Sequence, residues 1–278
     1  MTQFQTTLSA TIVLDGVGVH SGMRSSVTCS PAEADTGLVI DVRGTSGQNV
    51  RIRVRPEFLK GSDHCTSLGC DHAVVHTVEH LLAGLFWMGV DNVRIQVDGP
   101  EIPVCDGSAL SVAREVKRVG LQTLEDIRDT YILEKPVCVQ DSRSFVVGWP
   151  GEGFSVHCMI EFDHPRIGVQ EFFYDGNTDH FLRDIAPART FGFLKDWEFM
   201  KSRGLARGAS LENTVVLSED GVVGDGLRFE TEFVRHKILD LLGDMAILGY
   251  RLQGRIFAWK PGHRINGMFV REIHGFRD

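Results

Sequence analysis

The chain has 278 residues, of which 42% are hydrophobic and 24% charged, with a net charge of −8. This is ordinary globular composition, enough for one large domain or two of moderate size. The acidic balance argues against a nucleic-acid-binding surface, which is normally basic, but leaves room for an anionic small substrate held by a few local cations. No stretch approaches the ~20 apolar residues of a membrane span. The opening MTQFQTTLSATIVLDG lacks the basic and apolar regions of a signal peptide. The six cysteines, Cys29, Cys65, Cys70, Cys105, Cys138 and Cys158, are scattered and form no C-x2-C pair. They read as reduced thiols in a cytoplasmic protein.

In chain order, the Thr-, Ile- and Val-rich stretch 8–14 predicts a strand, followed by LVIDVR (38–43) and RIRVR (51–55). Val74 and Val75 predict extended chain before Thr77, a candidate helix cap. VEHLLAGLFWM then reads as a buried helix, NVRIQV (92–97) as a strand, Gly99-Pro100 as a turn and 108–119 as an amphipathic helix. The segment 121–130 is the expected boundary between halves. Strands follow at 131–139, 144–149, 154–162, 170–174 and 215–217, then a long helix over about 230–248 and a strand at 255–260. Each half thus runs strands, long helix, strand, without a close internal sequence repeat.

Within RHKILDLLGDM (235–245), His236, Asp240 and Asp244 lie four apart and share one helix face. One ion could take a nitrogen from His236 and an oxygen from Asp240. The plainer reading is a polar edge with an i,i+4 ion pair and with Arg235 and Lys237 as surface charges. Apolar Ile238, Leu239, Leu241 and Leu242 make a buried polar stripe costly, and so more suggestive. In HTVEHLLAGL (76–85), Glu79 and His80 point about 100° apart on a helix. In a first turn they could still reach one locus, one as ligand and the other as proton acceptor. Alternatively Glu79 favours a helix N-terminus and His80 is a core histidine. His76, Glu79 and His80 also match H-x-x-E-H, the inverted zinc-peptidase pattern, which leaves the 236–244 stripe without a role. A thiolate site from His64, Cys65, Cys70 and His72 is a looser possibility. Thr190, in ARTFGF, offers a hydroxyl for an oxyanion or for a turn. His263, in PGH, is a catalytic group on a loop or a surface histidine. Asp106-Gly107-Ser108 reads as a turn leading into a helix cap. The chain has no P-loop, G-x-G-x-x-G or G-x-S-x-G.

The segments DGVGVHSG (15–22), HTVEHLLAGL (76–85), EIPVCDGSA (101–109), ARTFGF (188–193), GLRFETEFVRHKILDLLGDM (226–245) and PGHRIN (261–266) occur in this order. Together they closely resemble the UDP-3-O-acyl-N-acetylglucosamine deacetylases, which perform the committed step of lipid A biosynthesis in Gram-negative bacteria. The resemblance covers nearly the whole chain. It implies an α+β fold of two similar domains, residues 1–125 and 126–278. Their helices would pack between two outer β-sheets, with the active site at the domain junction. It implies His80, His236 and Asp240 as metal ligands. That set suits Zn2+, and Fe2+ also fits. Glu79 would be the general base, His263 the general acid and Thr190 an oxyanion donor. Lys237 would bear on developing charge or a substrate phosphate, and Asp244 would orient His263. His20 would lie beside the site. The segment 189–217 resembles an acyl-binding βαβ insert, with Phe191, Phe193, Leu194 and Leu205 as lining. The implied partner is an acylated UDP-sugar, hydrolysed to acetate and a free amine; the sequence does not give the oligomeric state, and a monomer is favoured. His76 stands where the family commonly has another residue and takes no role. The family pattern is followed only through Asn266, which leaves the closing helix undecided. Two other functions stay open: an H-x-x-E-H zinc peptidase and a non-catalytic nucleotide-sugar-binding protein.

Overall fold

The computed structural model describes residues 3–61 and 64–277. Its first half contains β1 (Phe4–Leu8), β2 (Ile12–Val17), β3 (Arg24–Pro31), β4 (Leu38–Arg43), β5 (Asn49–Arg53), β6 (Leu59–Gly61), β7 (Ser67–Cys70) and β8 (Ala73–Val75). Helix α1 (Glu79–Phe86), β9 (Val93–Asp98), α2 (Leu110–Val119) and β10 (Leu121–Ile127) follow. The strand expected over 8–14 is two strands. β1 pairs with β10 and β2 with β3, so the chain must leave one sheet for another at Ser9–Thr11. The stretch expected to join the halves, 121–130, is largely β10. Thr77 does not cap α1: it has φ +58, and its hydroxyl donates to Glu101 Oε1 at 2.8 Å. The turn at 106–108 is as expected, with Gly107 at φ +82 and Ser108 Oγ accepting from Leu110 N.

The second half contains β11 (Thr130–Ile132), β12 (Val137–Gln140), β13 (Phe145–Trp149), β14 (Phe154–Phe162), β15 (Gly168–Tyr174), α3 (Thr178–His180), β16 (Phe191–Phe193) and α4 (Trp197–Ser202). Next come β17 (Val215–Leu217), β18 (Val222–Val223), α5 (Glu232–Met245), β19 (Arg251–Trp259) and α6 (His263–Gly275). The strand expected over 131–139 is interrupted before Val137, where Pro136 has no N–H to give a ladder. The closing helix, left undecided by the sequence, is α6.

The two main sheets have the same plan. Their strand orders are β2-β3-β9-β4-β5 and β12-β13-β19-β14-β15. In each, the central strand runs antiparallel to the second strand in order and parallel to the fourth. Each central strand follows a largely buried helix, α1 or α5, and precedes an amphipathic one, α2 or α6. The helices fill the space between the sheets: α1 packs on α2 and α5, while α5 also meets α6, β14 and β15. Seven of the eight residues of α1 are buried, all but His80, so it has no solvent face.

Where α1 meets α5, Gly243 sits directly on the Glu79 backbone. A Cβ there would fall 2.1 Å from the Glu79 carbonyl oxygen. Trp87 Nε1 donates to Leu242 O at 2.9 Å on the same contact. Arg251 and Arg128 both pair with Asp91, at 2.9 and 2.8 Å, and Arg251 Nη1 donates to Phe86 O at the end of α1. Gly243→Ala should therefore cost about 1–3 kcal/mol of stability, the range for overpacking a close contact. Gly275→Ala, where an added Cβ meets nothing within 4 Å, should be near neutral. Thermal or denaturant unfolding of the two variants checks the contrast.

Candidate active site

The first turn of α1 and the middle of α5 converge on one point. His80, His236 and Asp240 place one ligand atom each within 4.8 Å of one another, the only such group found among the described residues. His80 Nε2 and His236 Nε2 lie 3.5 and 3.3 Å from Asp240 Oδ1. That oxygen is buried and has no hydrogen-bond donor. Its partner Oδ2 accepts from Lys237 Nζ at 2.8 Å. Burial opposes ionisation of Asp240, yet His236 and Lys237 hold its carboxyl well below the usual range. Burial pushes His236 down to about 4, with Asp240 opposing, so the ring is neutral at neutral pH. Its Nδ1 sits 3.0 Å from Ala188 O and must carry the ring proton to donate there. Nε2 is then bare, which is how a ligating histidine is usually oriented. A buried anionic oxygen without a donor, beside imidazole nitrogens, fits a divalent cation.

Glu79 and His263 flank this group. Thr66 N–H donates to Glu79 Oε2 at 3.0 Å, and Glu79 Oε1 lies 3.7 Å from His263 Nε2. Burial raises the Glu79 pKa against the pull of His263 and His80. His263 opens α6 rather than lying on the loop the sequence suggests, so a helix fixes its backbone. Its Nδ1 bonds Asp244 Oδ2 at 3.0 Å. Burial disfavours its charged form, but Asp244, Glu79 and Asp240 together raise it to about 10. Asp244 also accepts from Asn266 Nδ2 at 2.8 Å and from the Thr66 hydroxyl.

Two carboxylates hold the surrounding loops. Glu232 is fully buried and accepts from Arg189 N at 3.0 Å, Arg189 Nε at 2.9 Å and Arg228 N at 2.6 Å. It thereby fixes the loop that presents Thr190. Gly107 closes in behind that loop: Thr190 N donates to Gly107 O, and a Cβ on Gly107 would fall 1.8 Å from Asn213 O. Glu101 accepts from His20 N at 2.9 Å and Ser21 N at 2.8 Å, which anchors the GVGVHSG loop.

A cavity of about 310 Å³ joins these parts. Its lining includes Glu79, His80, His236, Lys237, Asp240, His263, His20 and Thr190, together with Phe191 and Phe193. β16, α4 and β17 make the expected βαβ unit, with β16 and β17 parallel. Two expected lining residues are misplaced. Leu194 is 52% exposed and, like Leu205, is absent from the cavity wall. Trp197, Met200 and Val216 supply that apolar surface instead. His76 precedes the helix, is exposed, and bonds Ser67 Oγ at 2.8 Å. It stays outside the ligand group, which removes the basis of the H-x-x-E-H reading. Cys70 lies in the β7–β8 hairpin, and neither it, Cys65, His64 nor His72 belongs to a ligand group among the described residues. All six cysteines are free. Sequence reading missed Thr66, Glu101 and Glu232 as supports. Glu232 lay in the quoted motif 226–245 together with His236, Lys237, Asp240 and Asp244, and Glu101 opened the motif 101–109, but nothing local marked Thr66.

Comparison with known proteins bears on this arrangement. The family described as UDP-3-O-acyl N-acetylglycosamine deacetylase matches residues 5–275. Curated relatives named UDP-3-O-acyl-N-acetylglucosamine deacetylase include one from Syntrophus aciditrophicus (strain SB), 40% identical, covering 97% of this chain and 86% of its own length. Those from Oleidesulfovibrio alaskensis and Myxococcus xanthus are each 43% identical over 97% of this chain, and cover 88% and 86% of their own lengths. With the match running through every segment that builds the cavity, the chain belongs to the UDP-3-O-acyl N-acetylglycosamine deacetylase family.

Proposed function

We propose that this chain hydrolyses the N-acetyl group of UDP-3-O-acyl-N-acetylglucosamine, giving acetate and the free amine, and so serves lipid A biosynthesis. The observation that carries the reading is the donorless Asp240 Oδ1 facing two histidine nitrogens, with a carboxylate and a protonated histidine beside it. His80, His236 and Asp240 would hold a divalent metal, Zn2+ by ligand type or Fe2+. When bound it supplies Lewis-acid polarisation and a more acidic water. Lys237 keeps Asp240 ionised through Oδ2 and leaves Oδ1 free. The six free thiols suit a reducing, cytoplasmic setting, and among the described residues no helix is long and apolar enough to cross a membrane.

The chain's own groups divide the proton work. Glu79 takes a proton from the attacking water as its oxygen bonds the acetamide carbon. The Thr190 hydroxyl donates to the oxyanion that forms. As the C–N bond breaks, His263 gives its proton to the departing nitrogen, which otherwise leaves poorly. Asp244 holds His263 protonated for that step. Phe191, Phe193, Trp197, Met200 and Val216 would take the acyl chain. A protein that only bound the nucleotide sugar would not need this acid–base pair, so amine release is the direct test.

Four outcomes in activity are expected. His236→Ala and Asp240→Ala should lose bound metal and amine release, whereas His76→Ala keeps both; metal content and turnover decide, and metal lost only in His76→Ala overturns the ligand set. Glu79→Ala and His263→Ala should each cost roughly 10²–10⁴ in rate while retaining metal. The pH profile of kcat/KM should be a bell. Its acid limb comes from Glu79, which must be ionised; burial raises that group and a bound dication would lower it. Its alkaline limb lies at or below about 10, because His263 must be protonated and a bound dication would lower it. By linkage, the raised His263 also stabilises the fold below its unfolded value of 6.5, and that contribution is lost as pH rises through about 10. Finally, Val216→Phe should shift preference toward shorter acyl chains with metal content unchanged. Equal slowing for all chain lengths would remove the acyl assignment.

A further inference from the structure

We infer that Thr66 is a positioning residue that joins the base and the acid: its backbone holds Glu79, and its hydroxyl fixes the Asp244–His263 pair. The inference rests on the assignment of Glu79 and His263 above.

Thr66 lies just before β7, 178 residues from Asp244, and is buried. Its backbone makes two bonds at the start of α1. The carbonyl accepts from Val78 N at 3.2 Å, and the N–H donates to Glu79 Oε2 at 3.0 Å. Since Thr77 does not cap the helix, the first of these bonds satisfies one open N–H group at its start, that of Val78. The second holds one carboxylate oxygen of Glu79 and leaves Oε1 facing His263 Nε2 at 3.7 Å.

The hydroxyl does a separate job. Its single proton goes to Asp244 Oδ1, and its oxygen lies 3.2 Å from His263 Nδ1. Asp244 Oδ2 lies 3.0 Å from the same nitrogen. Nδ1 therefore faces two acceptors, the carboxylate and the threonine oxygen, and must carry a proton. This orients the ring with Nε2 toward Glu79 and the cavity, the nitrogen from which a proton can reach a leaving amine. Asn266 Nδ2 supplies a second donor to Oδ2, so neither oxygen of Asp244 is left without a donor. Loss of the hydroxyl would free Oδ1 and remove one acceptor from Nδ1, while leaving both backbone bonds in place.

Thr66→Val, nearly equal in shape, isolates the hydroxyl. In the metal-loaded protein kcat for amine release should fall about 10- to 100-fold, the scale for a group that orients an acting residue. KM and metal content should be unchanged, and Thr66→Ser should recover most of the rate. On a His263→Ala background, Thr66→Val should cost nothing further, because its effect runs through that ring. Nitrogen-15 NMR of the wild type, with the His263 signal assigned by its loss in His263→Ala, should show a slowly exchanging proton on Nδ1. This last measurement holds even if Thr66→Val fails to fold. A His263→Ala variant that is slow beside a Thr66→Val variant of near wild-type kcat overturns the inference and spares the acid assignment. Additive losses in the double variant, Thr66→Ser as slow as Thr66→Val, or a wild-type ring without a proton on Nδ1 also overturn it. If His263→Ala itself turns over normally, the acid assignment fails first.

Discussion

Two helices from different halves can share an active site only if their backbones come close, and here that closeness rests on the absence of one side chain. Gly243 lies one residue before Asp244 and three after Asp240, pressed against the Glu79 carbonyl. Any Cβ would push α5 away from α1. The displacement would separate His80 from His236 and Asp240, and Glu79 from His263, because these residues lie on both sides of the same contact. Backbone-to-backbone packing of this kind has no rotamers through which to relax, so the relative placement of the groups is set by the fold itself. Trp87 and Arg251 tie down the same helices further along.

Around that contact the protein buries an unusual density of ionisable groups, and their environments differ in ways that assign them different chemistry. Asp244 accepts from three donors and is satisfied. Asp240 is satisfied on one oxygen and bare on the other. Glu79 has one backbone donor and is the carboxylate whose proton affinity rises with burial. In the proposed mechanism, three acidic side chains of one cluster would serve as anchor, ligand and base. Burying unpaired charge would be strongly destabilising. The pairing is what makes the cluster tolerable, and its one unpaired oxygen marks where a cation belongs.

Much of this was legible because it is periodic or local. The stripe 236–244 follows from residues four apart, and the turn at 106–108 from its Asp-Gly-Ser chemistry. Spacing alone did not separate the two metal readings, since His76 and His236 were both plausible partners of His80. The resemblance favoured His236, and the geometry agrees because His76 precedes the helix. The supports were invisible for a common reason: Thr66 with Asp244 and Arg189 with Glu232 are contacts between distant segments and leave no local pattern. Leu194 and Leu205 were misjudged because apolar composition does not say which way a side chain faces in a short irregular insert. His263 was expected on a loop because it directly follows the predicted strand at 255–260, although a 13-residue helix begins at His263.

The doubled sheet plan has a consequence for how the chain reaches this state. In each half the central strand is made after the strands on both sides of it: β9 enters between β3 and β4, and β19 between β13 and β14. Until that strand arrives, each sheet exists as two separate hairpin pairs with open edges. The contacts that close it are long in sequence, which slows folding and leaves strand edges exposed for longer. Because α1 is buried on nearly every side, a newly made first half would also present an apolar helix awaiting α5. The nascent chain should therefore depend on protection from aggregation until β19 is available, and the active site is among the last features to become whole.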